Sequence, residues 1–261
     1  MNSGILLYAL FLAALFLYLF AALKSNTRKH LKQWPVKRSI FWALGIISVL
    51  SAVAGPLAER AHSDFTFHMI GHLLLGMLGP LLMVLAAPMT LLLRTLPVQA
   101  ARQLAKLLKS RYAGFITHPI TASLLNIGGL WVLYATDLYH LMLHNHTVHT
   151  LVHLHVFLAG YVFTAAFIYI DPVVHRFGYL YRSAVFIIAL AGHAILSKYI
   201  YVHPPAGIPP GQAKMAGMIM YYGGDVIDAI IIFILCKQWY KARRPRFTPG
   251  EPSYSVHRFS E

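Results

Sequence analysis

The chain has 261 residues, 58% of them hydrophobic and only 11% charged, where a soluble domain carries about 25% charged residues. With a mean hydropathy of +0.61, this excludes an ordinary soluble domain and predicts a membrane protein. The formal net charge of +14 does not point to nucleic acid, because the basic residues fall in loops between apolar runs.

Seven apolar segments follow one another, at 4–23, 39–57, 67–93, 118–137, 147–170, 183–202 and 213–236. Each supplies roughly the 20 residues that cross a hydrocarbon core, where only helices satisfy their own backbone. The first is preceded by MNSG, with no basic residue, and its charges come afterwards. It reads as an uncleaved helix rather than a signal peptide. The third contains Pro80 and Pro88, which predict a kink or tilt. Asn126, Gly128 and Gly129 interrupt the fourth, and Asp225 and Asp228 interrupt the seventh. Cys236 is the one cysteine, so there is no disulfide and no paired-cysteine metal motif.

Charge sets the expected orientation. Lys24, Arg28, Lys29, Lys32, Lys37 and Arg38 fill the first loop; Arg94, Arg102, Lys106, Lys109 and Arg111 fill the third. Arg176 and Arg182 lie in the fifth, and Lys237, Lys241, Arg243, Arg244, Arg246 and Arg258 follow the last segment. The opposite side has Arg60, with Lys198 and Lys214 near helix ends. Basic loops stay cytoplasmic. The expected fold is all-α: a polytopic bundle of seven transmembrane helices in a single domain, 1–261, with the N-terminus outside, the C-terminus cytoplasmic and 237–261 as a basic cytoplasmic tail. The 94–117 loop reads either as a basic amphipathic helix lying on membrane lipid or as an ordinary positive-inside loop.

In this topology the histidines are sided. His62, His68 and His72 stand at the outer end of the third segment, His140, His144 and His146 in the outer loop, and His149, His153 and His155 at the start of the fifth; His203 follows the sixth. His30, His118, His175 and His257 are cytoplasmic, and His193 is near mid-membrane. His68 and His72 form H-x-x-x-H, as do His149 and His153. A step of four residues turns a helix by roughly 400°, so each pair shares one face. His146 extends the second stripe, whereas His155 points about 160° away from His153 and serves something else.

Two such pairs at matched depth point to a metal ion, because imidazole is the commonest metal ligand. The candidate ligands are His68, His72, His149 and His153, with His62, His146, Met69 and Met215 as additional ones. Met142 lies in the same outer loop, and Met218 near Met215. Thioether with imidazole suits Cu(I); zinc accepts the imidazoles alone. Haem b between the two helices and an iron or zinc metalloenzyme are the alternatives. Asp225 and Asp228 share roughly one face. With His193 as a partner of Asp225, they read either as an ion path or as a structural pair. Asp64 beside His62 reads as a carboxylate orienting a ligand histidine or as a solvated loop acid.

The run FTFHMIGHLLLGMLGPLLMVLAAP at 65–88 resembles the signature of the CtaG family of cytochrome c oxidase assembly proteins. The likeness continues through HPITASLLNIGGLWVLYATDLYH at 118–140, HTLVHLHVFLAGYVF at 149–163 and GQAKMAGMIMYYGG at 211–224. Thr164 and Gly211 depart from it, standing where a Trp and an acid are expected. The resemblance implies a multi-pass protein of the bacterial plasma membrane that helps copper reach a haem–copper oxidase, without being an enzyme. It also implies cytochrome c oxidase subunits and an outer copper donor as partners, and matches His68, His72, His149 and His153 to the family's histidines.

Overall fold

A computed structural model describes residues 3–28 and 31–244. Lys29, His30, Arg246, His257, Arg258 and most of the expected basic tail lie outside the described residues. Among those described there are only helices: α1 (Ser3–Asn26), α2 (Val36–Val53), α3 (Pro56–Ala61), α4 (Phe65–Leu85), α5 (Pro88–Thr95), α6 (Val98–Leu108), α7 (Arg111–Ile116), α8 (Pro119–Ala135), α9 (Leu138–His144), α10 (His146–Phe167), α11 (Tyr179–Val202) and α12 (Pro210–Arg243).

Six of these, α1, α2, α4, α10, α11 and α12, are long and apolar enough to cross a membrane. The fourth expected span is instead a broken one. α8 and α9 meet at a 77° bend, and only counted as one span do they bring the total to seven. Thr136 adopts an extended conformation between them, and its Oγ accepts from Leu138 N. α4 is the central helix: 67% of it is buried, against 17–39% for the other spans. It packs against α2, α10 and α12.

The two prolines of the third segment act differently. Pro80 is absorbed into α4 by a π-turn at Leu74–Leu78, where Gly79 N–H reaches back five residues to Leu74 O. Proline has no N–H to give to the carbonyl four residues earlier, that of Gly76. Pro88 starts a new helix after Ala87, whose φ of 54° turns the chain left-handed. A second π-turn, Leu124–Gly128, coincides with the Asn and Gly residues that interrupt α8.

The basic loops gather at one end of the bundle. Arg94 donates to Lys32 O at 2.5 Å and Arg28 to Thr95 O at 3.3 Å. The guanidiniums of Arg38 and Arg94 lie 4.6 and 5.2 Å from the centre of the Trp34 ring, a favourable cation–π placement. Arg182, expected in a loop, is instead 1% exposed in the first turn of α11. It donates to Phe167 O at the end of α10 and stacks on Tyr169 and Tyr179. α6 is helical with no buried residue, and Val98 and Leu107 lie in the open, as a surface-lying amphipathic helix requires.

Asp171 ties two of these loops together. Its carboxylate accepts from Met89 N at 3.2 Å, from Thr90 N at 2.7 Å and from Thr90 Oγ at 2.6 Å, capping α5 from a distant part of the chain. Asp171→Ala removes all three bonds and the negative charge from a helix N-terminus. The expected cost is about 1–2 kcal/mol, read as a lower midpoint of thermal unfolding in detergent; a superimposable melting curve contradicts it.

Candidate metal centre

α4 and α10 both start at the end of the bundle opposite the basic loops, and both are started by a short polar side chain four residues before a histidine. Asp64 accepts from Thr66 N at 2.7 Å, and His68 follows. Asn145 accepts from Thr147 N and Val148 N at 3.0 and 3.2 Å, and His149 follows. Asp64 is thus a helix cap and not a partner of His62. The two helices then approach through Gly76 and Gly160, which sets their histidine-bearing turns side by side.

A cavity of ≈ 30 Å³ lies between these turns, walled by Ala52, Val53, Ala58, Ala61, His62, His68, Met142, Leu143, His149 and His153. Ring centroids are 4.1 Å apart for His149 and His153, 5.2 Å for His62 and His149, and 6.3 Å for His68 and His153. His68 is buried; His149 and His153 are half-buried. Among the described residues, no three His, Cys, Asp or Glu side chains are grouped closely enough to hold a metal ion as they stand. The rings line a space without closing a cage.

The hydrogen bonds say which nitrogens are free. His153 Nδ1 lies 2.9 Å from His149 O. A carbonyl only accepts, so Nδ1 carries the proton and Nε2 keeps its lone pair. His68 Nε2 is 3.1 Å from Tyr134 Oη, which leaves His68 Nδ1 as its second nitrogen. Phe65 stacks on the His68 ring and Tyr139 meets it edge-on, at centroid distances of 5.8 and 5.0 Å, so the ring is held from three sides.

The structure divides the residues singled out from spacing. His68, His149 and His153 come together, with His62. His146 stacks 6.5 Å from His149 but is exposed. His72, a turn deeper, lines a separate cavity with His193, Asn126 and Asp228. Met69 is fully buried in the apolar core and Met215 is 47% exposed on α12; neither lines the space between the histidines. Met142, named in the outer loop but outside the candidate ligand set, does line it. His155 serves the expected other purpose: Nε2 donates to Leu125 O, a carbonyl of the second π-turn, at 3.1 Å. Asp225 is exposed, so its expected pairing with His193 gives way to Asp228 in the same cavity.

An uncharacterized protein of Mycobacterium leprae is 32% identical over 236 residues, covering 82% of this chain and 36% of its own length. Uncharacterized proteins of Mycobacterium bovis and Mycobacterium tuberculosis are each 34% identical over 182 residues, 67% of this chain and 27% of theirs. The chain therefore spans only about a third of the length of the curated relatives it matches. No solved structure matches it. Its several apolar helices and its mycobacterial relatives make it a multi-pass protein of a bacterial plasma membrane. A family model described as the cytochrome c oxidase caa3 assembly factor (CtaG) matches residues 16–242. The chain belongs to the CtaG family of cytochrome c oxidase caa3 assembly factors.

Proposed function

We propose that this protein takes up copper at the histidine end of the bundle and helps deliver it during assembly of a haem–copper cytochrome c oxidase. The observation that carries this reading is the small cavity where His62, His68, His149 and His153 meet Met142, at the end opposite the basic loops. By the positive-inside rule that end faces outward, with the N-terminus outside and the C-terminus cytoplasmic. Neutral imidazoles and a thioether are exchangeable ligands that suit Cu(I), and a carrier needs such exchange. The space is of a size to hold a single ion. The copper donor and the oxidase subunits would meet the protein at this outer end. Copper is the cargo and no covalent bond is made or broken, so the role is not enzymatic.

The test is the copper content of the purified protein beside a variant with alanine at His62, His68, His149 and His153, both checked by gel filtration for an intact fold. The variant is expected to lose the copper held at this end, and cells carrying it to lose cytochrome c oxidase activity. Equal copper in both proteins removes the site.

A further inference from the structure

Deeper in the bundle, a second cavity of ≈ 10 Å³, enough for one water-sized sphere, lies beyond the outer histidines. Its polar wall consists of His72, His193, Asn126, Thr164 and Asp228, drawn from α4, α8, α10, α11 and α12. Two features set it apart from an ordinary polar contact between helices. His72 and His193 are 6% and 3% exposed, and the Nε2 atom of each is buried with no hydrogen-bond partner. Leaving such an atom unsatisfied is costly, and this cavity has two of them.

The surroundings hold the rings in place. A Cβ on Gly224 would fall 2.6 Å from His193 Cε1, and one on Gly76 3.3 Å from His72 Cε1. Glycine at both positions lets the imidazoles lie against helix backbone. Residues of both π-turns, Gly76 and Met77 on α4 and Asn126 and Ile127 on α8, border the space; such turns recur at functional sites. Tyr134 stands between the two histidine regions, with its ring 6.1 Å from that of His68 and 6.2 Å from that of His72.

We propose that His72 and His193 form a second copper station, holding one Cu(I) through their Nε2 atoms, with Asp228 supplying the compensating negative charge. The donor set selects the ion. Two imidazoles satisfy a closed-shell monovalent ion that accepts linear two-coordination. Zinc and iron require more donors. A cation this deep needs an anion nearby, and Asp228 is 4% exposed on the same wall. The choice of copper rests on the function proposed above; the site rests on its own residues. Copper held at the outer histidines would pass Tyr134 to reach it.

The test uses the full chain in lipid nanodiscs, titrated with Cu(I) under ascorbate against a chromophoric Cu(I) chelator. The wild type is expected to hold two copper ions per chain, His193→Ala one, and His149→Ala/His153→Ala one. X-ray absorption on the last variant should show copper with two nitrogen ligands and no sulfur. His193→Gln stands in for His193→Ala if the alanine variant does not elute like the wild type. An unchanged copper count in the His193 variant overturns the inner station, as does zinc binding there in place of copper. If the wild type and the His193 variant each hold one ion and His149→Ala/His153→Ala holds none, the outer reading survives and the inner one falls. If the double variant still binds two, the outer reading falls.

Discussion

A Gly160→Leu variant is expected to yield no folded bundle, and even Gly160→Ala to lose about 3 kcal/mol or more. A Cβ built on Gly160 falls 2.0 Å from Gly76 O, 2.9 Å from Gly76 C and 3.3 Å from Gly76 Cα. The obstacle is backbone, so no side chain can swing aside, and α4 and α10 must separate. Polar and apolar membrane helices alike depend on such small-residue contacts, because lipid supplies no hydrophobic drive between them. The contact also sets the histidine-bearing turns side by side, so a variant that survives should lose the outer cavity along with its stability. Gly211, which has nothing within 4 Å of an added Cβ, provides the control: Gly211→Ala should melt like the wild type. Fluorescence-detected gel filtration and thermal melts of the three variants beside the wild type decide the matter. A monodisperse Gly160→Leu peak at the wild-type position contradicts the argument.

What the sequence made legible was set by periodicity and charge. Spans over 20 apolar residues with basic loops between them left little choice of architecture, and the four-residue histidine spacing correctly put His149 and His153 on one face. It did not show which way His72 points. His72 shares a helical face with His68, but it lies a turn deeper, where the neighbours are α11 and α12 rather than the outer loops. Spacing within one helix carries no information about what stands opposite each turn. The same limit misplaced Asp225: two acids three residues apart share a face only roughly, and the bundle buries Asp228 while leaving its neighbour exposed. The two helix caps were within reach. Asp64 and Asn145 each precede an apolar run, the usual sign of a helix start, and reading Asp64 as a cap would have removed it as a partner for His62. The π-turns were half visible, as Pro80 in one helix and Asn126 with two glycines in the other. Nothing in the sequence said that the carbonyl of Leu125 in the second turn would take up His155. Arg182 shows the converse, a charge assigned to a loop that the fold buries because the end of α10 offers it a carbonyl.

Tyr134→Phe is expected to weaken Cu(I) binding at the outer histidines by about 10–100-fold, the usual effect of removing a hydrogen bond that orients a ligand imidazole. When Tyr134 Oη accepts from Nε2–H of His68, the proton is fixed on Nε2 and Nδ1 keeps its lone pair for the ion. Removing the hydroxyl frees the tautomer and leaves a buried ring nitrogen without its partner, at a cost of about 1–3 kcal/mol. The ring itself should stay in place, since Phe65 and Tyr139 still pack against it and phenylalanine fills nearly the same volume as tyrosine. Both readouts should move: a lower thermal midpoint of the metal-free protein, and a fall in affinity measured by chelator competition. Tyr139→Phe, which changes a ring against His68 without touching this hydrogen bond, should leave the affinity close to wild type. Equal copper affinity in the wild type and Tyr134→Phe would mean that His68 is not oriented through Nε2 for binding, and that its hydrogen bond to Tyr134 serves packing alone.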